Sequence, residues 1–85
     1  MAIAVSTTEY DWLGGTMNVT VDATCTDALI QISQDGLPFV KLSNDGAGVI
    51  AGILPTDNGT QLTDLSKCKV KFTFTGVDKI SFLKG

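Results

Sequence analysis

Residues 67–84 read KCKVKFTFTGVDKISFLK and carry the clearest periodicity of the chain. Lysine and threonine alternate there with apolar residues, and the side chains of a strand point alternately to its two faces. The pattern therefore predicts a half-buried strand, a reversal at Gly76, where a glycine takes positive φ without steric cost, and a returning strand. We expect this hairpin to lie at the centre of the core. Its predicted core residues are Val70, Phe72, Phe74, Ile80 and Phe82.

Turn signals recur along the rest of the chain at intervals of about ten residues, which is typical of a sandwich or a small barrel. Residues 16–23 alternate cleanly, and Asp35-Gly36 closes a tight hairpin in which Gly36 takes positive φ. We predict an all-β fold, a small antiparallel β-sandwich or barrel of about six to seven short strands. Residues 1–15 are predicted to form an N-terminal arm, and residues 16–85 a single β domain. The side chains expected to face inward on the strand after the arm are Met17, Val19, Val21 and Ala23.

Two segments lack a clear strand pattern. Residues 47–54 contain no charged residue, so we expect them to be buried on both faces or pressed against another subunit. Residues 56–66 are predicted to be the longest irregular segment, with a turn at Asp57-Asn58-Gly59 and one helical turn at residues 62–65.

The composition favours one small globular domain and argues against two classes of function. Eighty-five residues suffice for one domain, and an apolar content of 44% is ordinary for a folded chain. The sequence contains neither histidine nor arginine. Histidine is the usual general base near neutral pH and the commonest metal ligand, and arginine is the favoured reader of phosphate and guanine. We therefore expect no enzymatic activity and no binding of nucleic acid.

No nucleotide-binding loop, cysteine pair with metal-ligand spacing or nucleophile motif occurs in the sequence. Asp35, Asp45 and Asp57 each stand one or two residues before a glycine, as turn-forming residues do, and they lack the spacing of a calcium loop. We predict no catalytic residue, no cofactor and no metal site. A weak calcium site between loops stays open at this point.

Charge is unevenly distributed along the chain. Residues 1–66 contain eight acidic residues and one lysine, a net of −7, and residues 67–85 contain five lysines and one aspartate, a net of +4, which together give −3. A bipolar surface of this kind can steer docking on a partner. The alternative is that the lysines guard the solvent face of an edge strand against pairing.

The candidate interface combines apolar and aromatic residues of the arm with the row of lysines. Tyr10 and Trp12 are two residues apart and share one face of an extended chain, and both residue types are favoured interface anchors. We expect the arm to be loose alone and ordered on a partner. The alternative is that the two aromatic rings cover one end of the core. The candidate interface residues are Ile3, Val5, Tyr10, Trp12, Lys67, Lys69 and Lys71.

The first residues contain no basic region followed by an apolar run, and no stretch is long enough to span a membrane. We therefore expect a protein made and kept in a cytoplasm, with no membrane partner. Cys25 and Cys68 are then expected to be free thiols, although a disulfide stays open if the protein works outside a cell. Cys68 shares the apolar face of its strand, which suits a buried thiol.

A short, acidic, all-β chain with an extended N-terminal arm resembles the decoration or cement proteins that bind the outside of tailed-phage capsids. The resemblance implies a non-enzymatic virion subunit, assembled in the host cytoplasm, that staples capsomers together. Its partner would be the major capsid protein or another virion protein, and it would form a homo-oligomer. A phage tail or baseplate component would share these features. A carbohydrate-binding β-sandwich module, with Tyr10 and Trp12 stacked on sugar rings, is the alternative from a different class.

Overall fold

The alternating segments of the chain form strands that pair into two antiparallel sheets. The structure is a computed structural model that describes residues 2–56 and 58–85. A 3-10 turn at Asp45–Ala47 is the only helical element among these residues, and none of them belongs to a helix able to cross a membrane. The eight strands are β1 (Ala2–Ile3), β2 (Glu9–Trp12), β3 (Gly15–Val21), β4 (Leu29–Ser33), β5 (Val40–Lys41), β6 (Asn58–Leu65), β7 (Cys68–Thr73) and β8 (Ile80–Lys84).

The first sheet has the strand order β1-β8-β3-β6, and the second has the order β2-β7-β4-β5. One continuous cluster of buried apolar side chains fills the space between the sheets. The predicted all-β class is confirmed. Six of the strands have four residues or more, while β1 and β5 have two residues each.

The last two strands lie in different sheets. β7 pairs with β2 and β4, whereas β8 pairs with β1 and β3, so the predicted C-terminal hairpin is wrong. The physical reason is burial: strands in opposite sheets cover each other's apolar faces. The ring centroids of Phe72 and Phe82 lie 5.1 Å apart across the sandwich. The prediction of the core itself is confirmed, since all five residues are buried: Val70, Phe72, Phe74, Ile80 and Phe82.

β3 lies inside the first sheet, between β8 and β6, and its inward residues Met17, Val19 and Val21 are buried as predicted. The strand ends at Val21 because the Asp22 carboxylate accepts hydrogen bonds from the backbone N–H and the hydroxyl of Thr24, which turns the chain. Ala23 lies in this turn and is exposed, so the prediction that it faces inward is wrong.

β6 is the longest strand, and the prediction of an irregular segment with a helical turn at residues 62–65 is wrong. The alternation is hidden because, among the residues of β6 whose burial is described, the two buried ones are the polar Thr60 and Leu62. Pairing with β3 orders this segment as a strand and satisfies the backbone groups on its β3 side. Asp64, at φ 53°, lies in a bulge that shifts the register near the end of the strand. Asp57, part of the predicted turn before the strand, lies outside the described residues.

The turn between β4 and β5 follows the prediction. Asp35 and Gly36 have φ of 54° and 75°, and the Leu37 N–H donates to the Gln34 carbonyl at 3.0 Å, which is a type I′ hairpin turn.

Within segment 47–54, Val49 and Leu54 point into the core, but Ile50 and Ile53 are 64% and 58% exposed. Burial on both faces is therefore wrong for the single chain, and contact with another subunit stays a prediction. The Ile53 N–H donates to the Ile50 carbonyl at 3.0 Å, so residues 50–53 form a tight turn that presents both isoleucines. We call it the isoleucine turn.

The segment predicted as an arm takes part in both sheets. β1 pairs with β8 in the first sheet, and β2 pairs with β7 in the second. Ala4, between these strands, is buried in the core and donates its N–H to the Ile80 carbonyl at 2.9 Å. In this structure the described part of residues 1–15 is therefore packed as an integral part of the sandwich.

Candidate interaction surface

The two aromatic residues of the candidate interface pack inward. Trp12 is 8% exposed, and its indole Nε1–H donates to the Gly15 carbonyl at 3.3 Å. Tyr10 is half-buried, with its ring edge-on to Phe82 at a centroid distance of 5.1 Å, and its hydroxyl oxygen accepts the Val5 N–H at 2.8 Å. Both rings therefore pack against the core, and the burial of Trp12 leaves it no open face on which a sugar ring or a partner side chain could stack.

The lysine row lies on the outer face of the second sheet. β7 runs between β2 and β4, so it is not the edge strand that the guarding hypothesis requires. Lys69 stands opposite Asp11 on β2, with its Nζ 3.7 Å from a carboxylate oxygen. Lys71 stands opposite Glu9, and its ammonium lies 4.6 Å from the centroid of the Phe39 ring. Charges that are far apart in the sequence are therefore neighbours on this face.

Lys67 lines a shallow cleft of about 530 Å³ at one end of the second sheet, together with Asp11, Leu13, Asp35 and Cys68. Cys68 is buried, and this burial raises the pKa of its thiol. Cys25 is buried as well, and neither cysteine forms a disulfide. The described ranges hold no group of three or more carboxylates and thiols close enough to bind a metal ion. The cleft thus offers a polar depression and no recognisable reactive centre.

The outer face of the first sheet is of a different kind, because its central rows carry no charged side chain; Asp64 is exposed in the bulge of β6 at one end of this face. The register places Ile3, Ser81, Thr20 and Gly59 in one row across the four strands, and Leu83, Asn18 and Gln61 in the next. We call this surface the neutral face. Its residues, all exposed or half-buried, are Ile3, Thr16, Asn18, Thr20, Gly59, Gln61, Thr63, Ser81 and Leu83.

An apolar depression adjoins the neutral face beyond β1. Its volume is about 300 Å³, and its lining includes Ala4, Val5 and Val77. Val5 and Val77, which both line this depression, are 59% and 77% exposed. The candidate residues Ile3 and Val5 therefore come together at one margin of the neutral face, whereas Trp12 and the lysines lie elsewhere.

The two outer faces differ in charge although the chain has a net charge of only −3. One row across the second sheet reads Glu9, Lys71, Gln31 and Lys41, while the corresponding rows of the first sheet are neutral. The nearest ion pair to the neutral face, Lys79 with Asp22 at 3.9 Å, lies beyond its end. Chemically, the neutral face can offer hydroxyl and amide hydrogen bonds together with apolar area. Sequence reasoning missed Gln61 and Thr63 because β6 was not recognised as a strand, and it could not join the polar residues of β3 and β8 to them without the strand order.

No protein-family model, no curated protein and no solved structure matches this chain.

Proposed function

We propose that this protein is a non-enzymatic binding subunit whose contact surface is the neutral face together with the apolar margin formed by Ile3, Val5 and Val77. The observation that supports the proposal is the absence of charge from the central rows of one sheet face among the described residues. Charged residues are depleted at the centres of protein–protein interfaces, since burying an unpaired charge is costly. The exposed apolar side chains at the margin stabilise the complex when the partner removes them from water.

The neutral face is smaller than a standard protein–protein interface, so the partner must also cover neighbouring surface. About five residues along each of β8, β3 and β6, with the two residues of β1, give an area of about 300 Å². A standard interface buries about 800 Å² on each partner, so the contact has to extend beyond the neutral face. The depression between Val5 and Val77 is the adjoining apolar surface on the β1 side. A broad, flat partner fits these dimensions better than a short peptide does.

Within this class we propose a capsid decoration or cement protein of a tailed phage, bound to the major capsid protein or another virion protein. A capsid shell offers the broad surface that the contact requires, and the chain would act by covering the joints between capsomers. A tail or baseplate component would use the same surface on a different particle. The inward packing of Tyr10 and Trp12 disfavours the carbohydrate-binding alternative, which needs exposed aromatic platforms.

The test is co-sedimentation of the purified protein with purified capsids, and separately with tails, of the phage that encodes it. Thr20→Lys places a charge at the centre of the neutral face and should weaken binding about tenfold or more, because the ammonium would be buried without a partner. Thr73→Lys is the matched control, since Thr73 occupies the outer face of the inner strand β7 in the second sheet. It should bind as the wild type does.

Binding to capsids would support the decoration function, and binding to tails alone would assign the same surface to the tail. Unchanged binding of Thr20→Lys beside lost binding of Thr73→Lys would place the contact on the charged face and overturn the proposed surface. No binding to either particle would overturn the virion function.

A further inference from the structure

β6 differs from the other strands at the sheet edges. The four edge strands are β1, β6, β2 and β5. β1 and β5 have two residues each, and β2 carries Glu9 and Asp11 among its four. β6 has eight residues, and its length leaves a long row of backbone groups on the side away from β3. Long edges of this kind are templates for pairing with another strand.

The outer edge of β6 has no hydrogen-bond partner among the described residues. No backbone or side-chain hydrogen bond joins residues 59–65 to any described element other than β3. The 3-10 turn at Asp45–Ala47 lies nearby without bonding to the strand. Residues 59–63 also lack the features that normally protect an edge, namely lysine, proline and charge. The bulge at Asp64 restricts pairing only at the far end.

We propose that β6 pairs with β6 of a second copy of this chain, antiparallel about a twofold axis, so that the two first sheets become one eight-stranded sheet. With Gln61 on the axis, Thr60 stands opposite Leu62 of the other copy and Gly59 opposite Thr63. Inward residues then meet inward residues, and outward residues meet outward ones, as a continuous sheet requires.

For a second copy, the position of Asp64 distinguishes the antiparallel from the parallel orientation. Asp64 is the only charged residue of the strand. Antiparallel pairing about Gln61 places the two Asp64 residues about 20 Å apart, beyond the Debye length in physiological salt, whereas parallel pairing would set them side by side. The register also pairs the Gln61 amides, which can donate to and accept from each other.

The dimer has a consequence for the binding surface, and this consequence rests on the proposed function. Joining the two first sheets makes the two neutral faces continuous, with an area of about 600 Å². That value approaches the contribution of one partner to a standard interface. The pairing itself depends only on the edge of the sheet, so a result on particle binding neither supports nor contradicts it.

Sedimentation velocity of the full chain tests the pairing directly. The wild type should form dimers as its concentration is raised to about 100 µM, which populates complexes of micromolar Kd. Gln61→Lys sets two ammonium groups against each other on the axis and should weaken the dimer about tenfold or more. Thr20→Lys, on the same face but on an inner strand, should leave the dimer intact while weakening particle binding.

Gln61→Glu provides a second variant of nearly unchanged shape, so that a folding defect cannot imitate the result. It should be monomeric near neutral pH and regain the dimer below about pH 4, where glutamate is protonated. The wild type under the same conditions is the reference. A monomeric wild type, dimers of both Gln61 variants at neutral pH, or loss of the dimer in Thr20→Lys would each overturn edge pairing.

Discussion

Phe72 lies where the two sheets meet, and its burial makes it the side chain on which the core depends most. It is fully buried beside Ile30 on the neighbouring strand, and it faces the Phe82 ring of the other sheet. Phe72→Ala should lower the free energy of unfolding by about 3–5 kcal/mol, since it leaves a cavity that the sandwich cannot close. Urea unfolding followed by circular dichroism measures the loss.

Phe39→Ala is the matched control for this cavity. Phe39 is half-buried on the outer face, where it meets the Lys71 ammonium. Its removal should cost about 1–2 kcal/mol, the value of partial burial and one surface cation–π contact. Equal losses for the two variants would show that the space between the sheets is not the principal core.

The fold perturbs the titration of the Asp22 carboxyl group. The hydroxyl of Thr24, then its backbone N–H, and to a smaller extent the Lys79 cation hold the pKa of Asp22 below its ordinary value of 3.8. Since the folded pKa lies below the unfolded one, the stabilisation is fully present above pH 3.8 and is lost as the pH falls through the folded pKa.

A carboxyl-detected NMR titration should therefore place the midpoint of Asp22 below 3.8. Thr24→Val removes the hydroxyl donor and keeps the backbone donor, so the midpoint should rise towards the ordinary value without reaching it. A wild-type midpoint at or above 3.8 would contradict the hydrogen-bonded turn that ends β3.

At the scale of elements, the isoleucine turn is attached to the second sheet by Gly52. Its N–H donates to the Leu42 carbonyl at 2.9 Å, and its own carbonyl accepts the Ile30 N–H at 2.8 Å. Gly52 has φ 77°, and an added Cβ would lie 2.8 Å from the Ile30 carbonyl oxygen, which belongs to the backbone and cannot move aside.

Gly52→Ala should therefore destabilise the protein by about 2–4 kcal/mol, the sum of left-handed strain and a backbone clash. Gly36→Ala separates the two terms, because Gly36 has φ 75° but open space around it. It should cost about 1–2 kcal/mol from the left-handed conformation alone. Thermal unfolding of the two variants gives the comparison, and equal losses would mean that Gly52 has room for a side chain.

The success of strand prediction depended on which residue types occupied the buried positions. The alternation in β3 and β7 was readable because valine, methionine and phenylalanine point inward. β6 was missed because Thr60 is buried and the bulge at Asp64 interrupts the period. For β7 and β8 the pattern gave the buried face correctly but not the pairing partner. Periodicity specifies which side of a strand is apolar, and only the packing of the whole chain decides whether two such strands share a sheet or face each other.

At the scale of the whole molecule, the neutral face could not be predicted from the periodicity of single strands either. The neutral face combines residues from β1, β3, β6 and β8, so its lack of charge appears only when the strand order is known. From sequence, only Ile3 and Val5 at its margin could be identified. The division of charge along the chain was likewise misleading, because Lys69 and Asp11, which belong to oppositely charged parts of the sequence, are cross-strand neighbours. An uneven distribution of charge along the sequence does not give a molecule with two oppositely charged ends when strands from both parts of the chain pair.

The same long-range pairing determines what happens when residues 2–13 are deleted. The deletion removes β1 and β2, which flank the strands β8 and β7 in the two sheets. It also removes the Tyr10 ring from Phe82 and the buried indole of Trp12. A buried aromatic side chain covers about 150–250 Å², so the loss of Trp12 costs about 4–6 kcal/mol at 25 cal/mol per Å², and the loss of the half-buried Tyr10 adds a smaller amount.

Small domains are stable by about 5–15 kcal/mol, so the truncated chain should be unfolded and show no cooperative urea transition. An arm that only contacts a partner would instead leave a folded domain behind. Ile3→Ser combined with Val5→Ser is the matched variant, because both side chains are exposed on strands or loops that remain in place. This variant should keep a cooperative transition and bind the particle more weakly. A folded truncated chain would show that the sandwich closes without its first two strands, and that residues 1–15 are an arm after all.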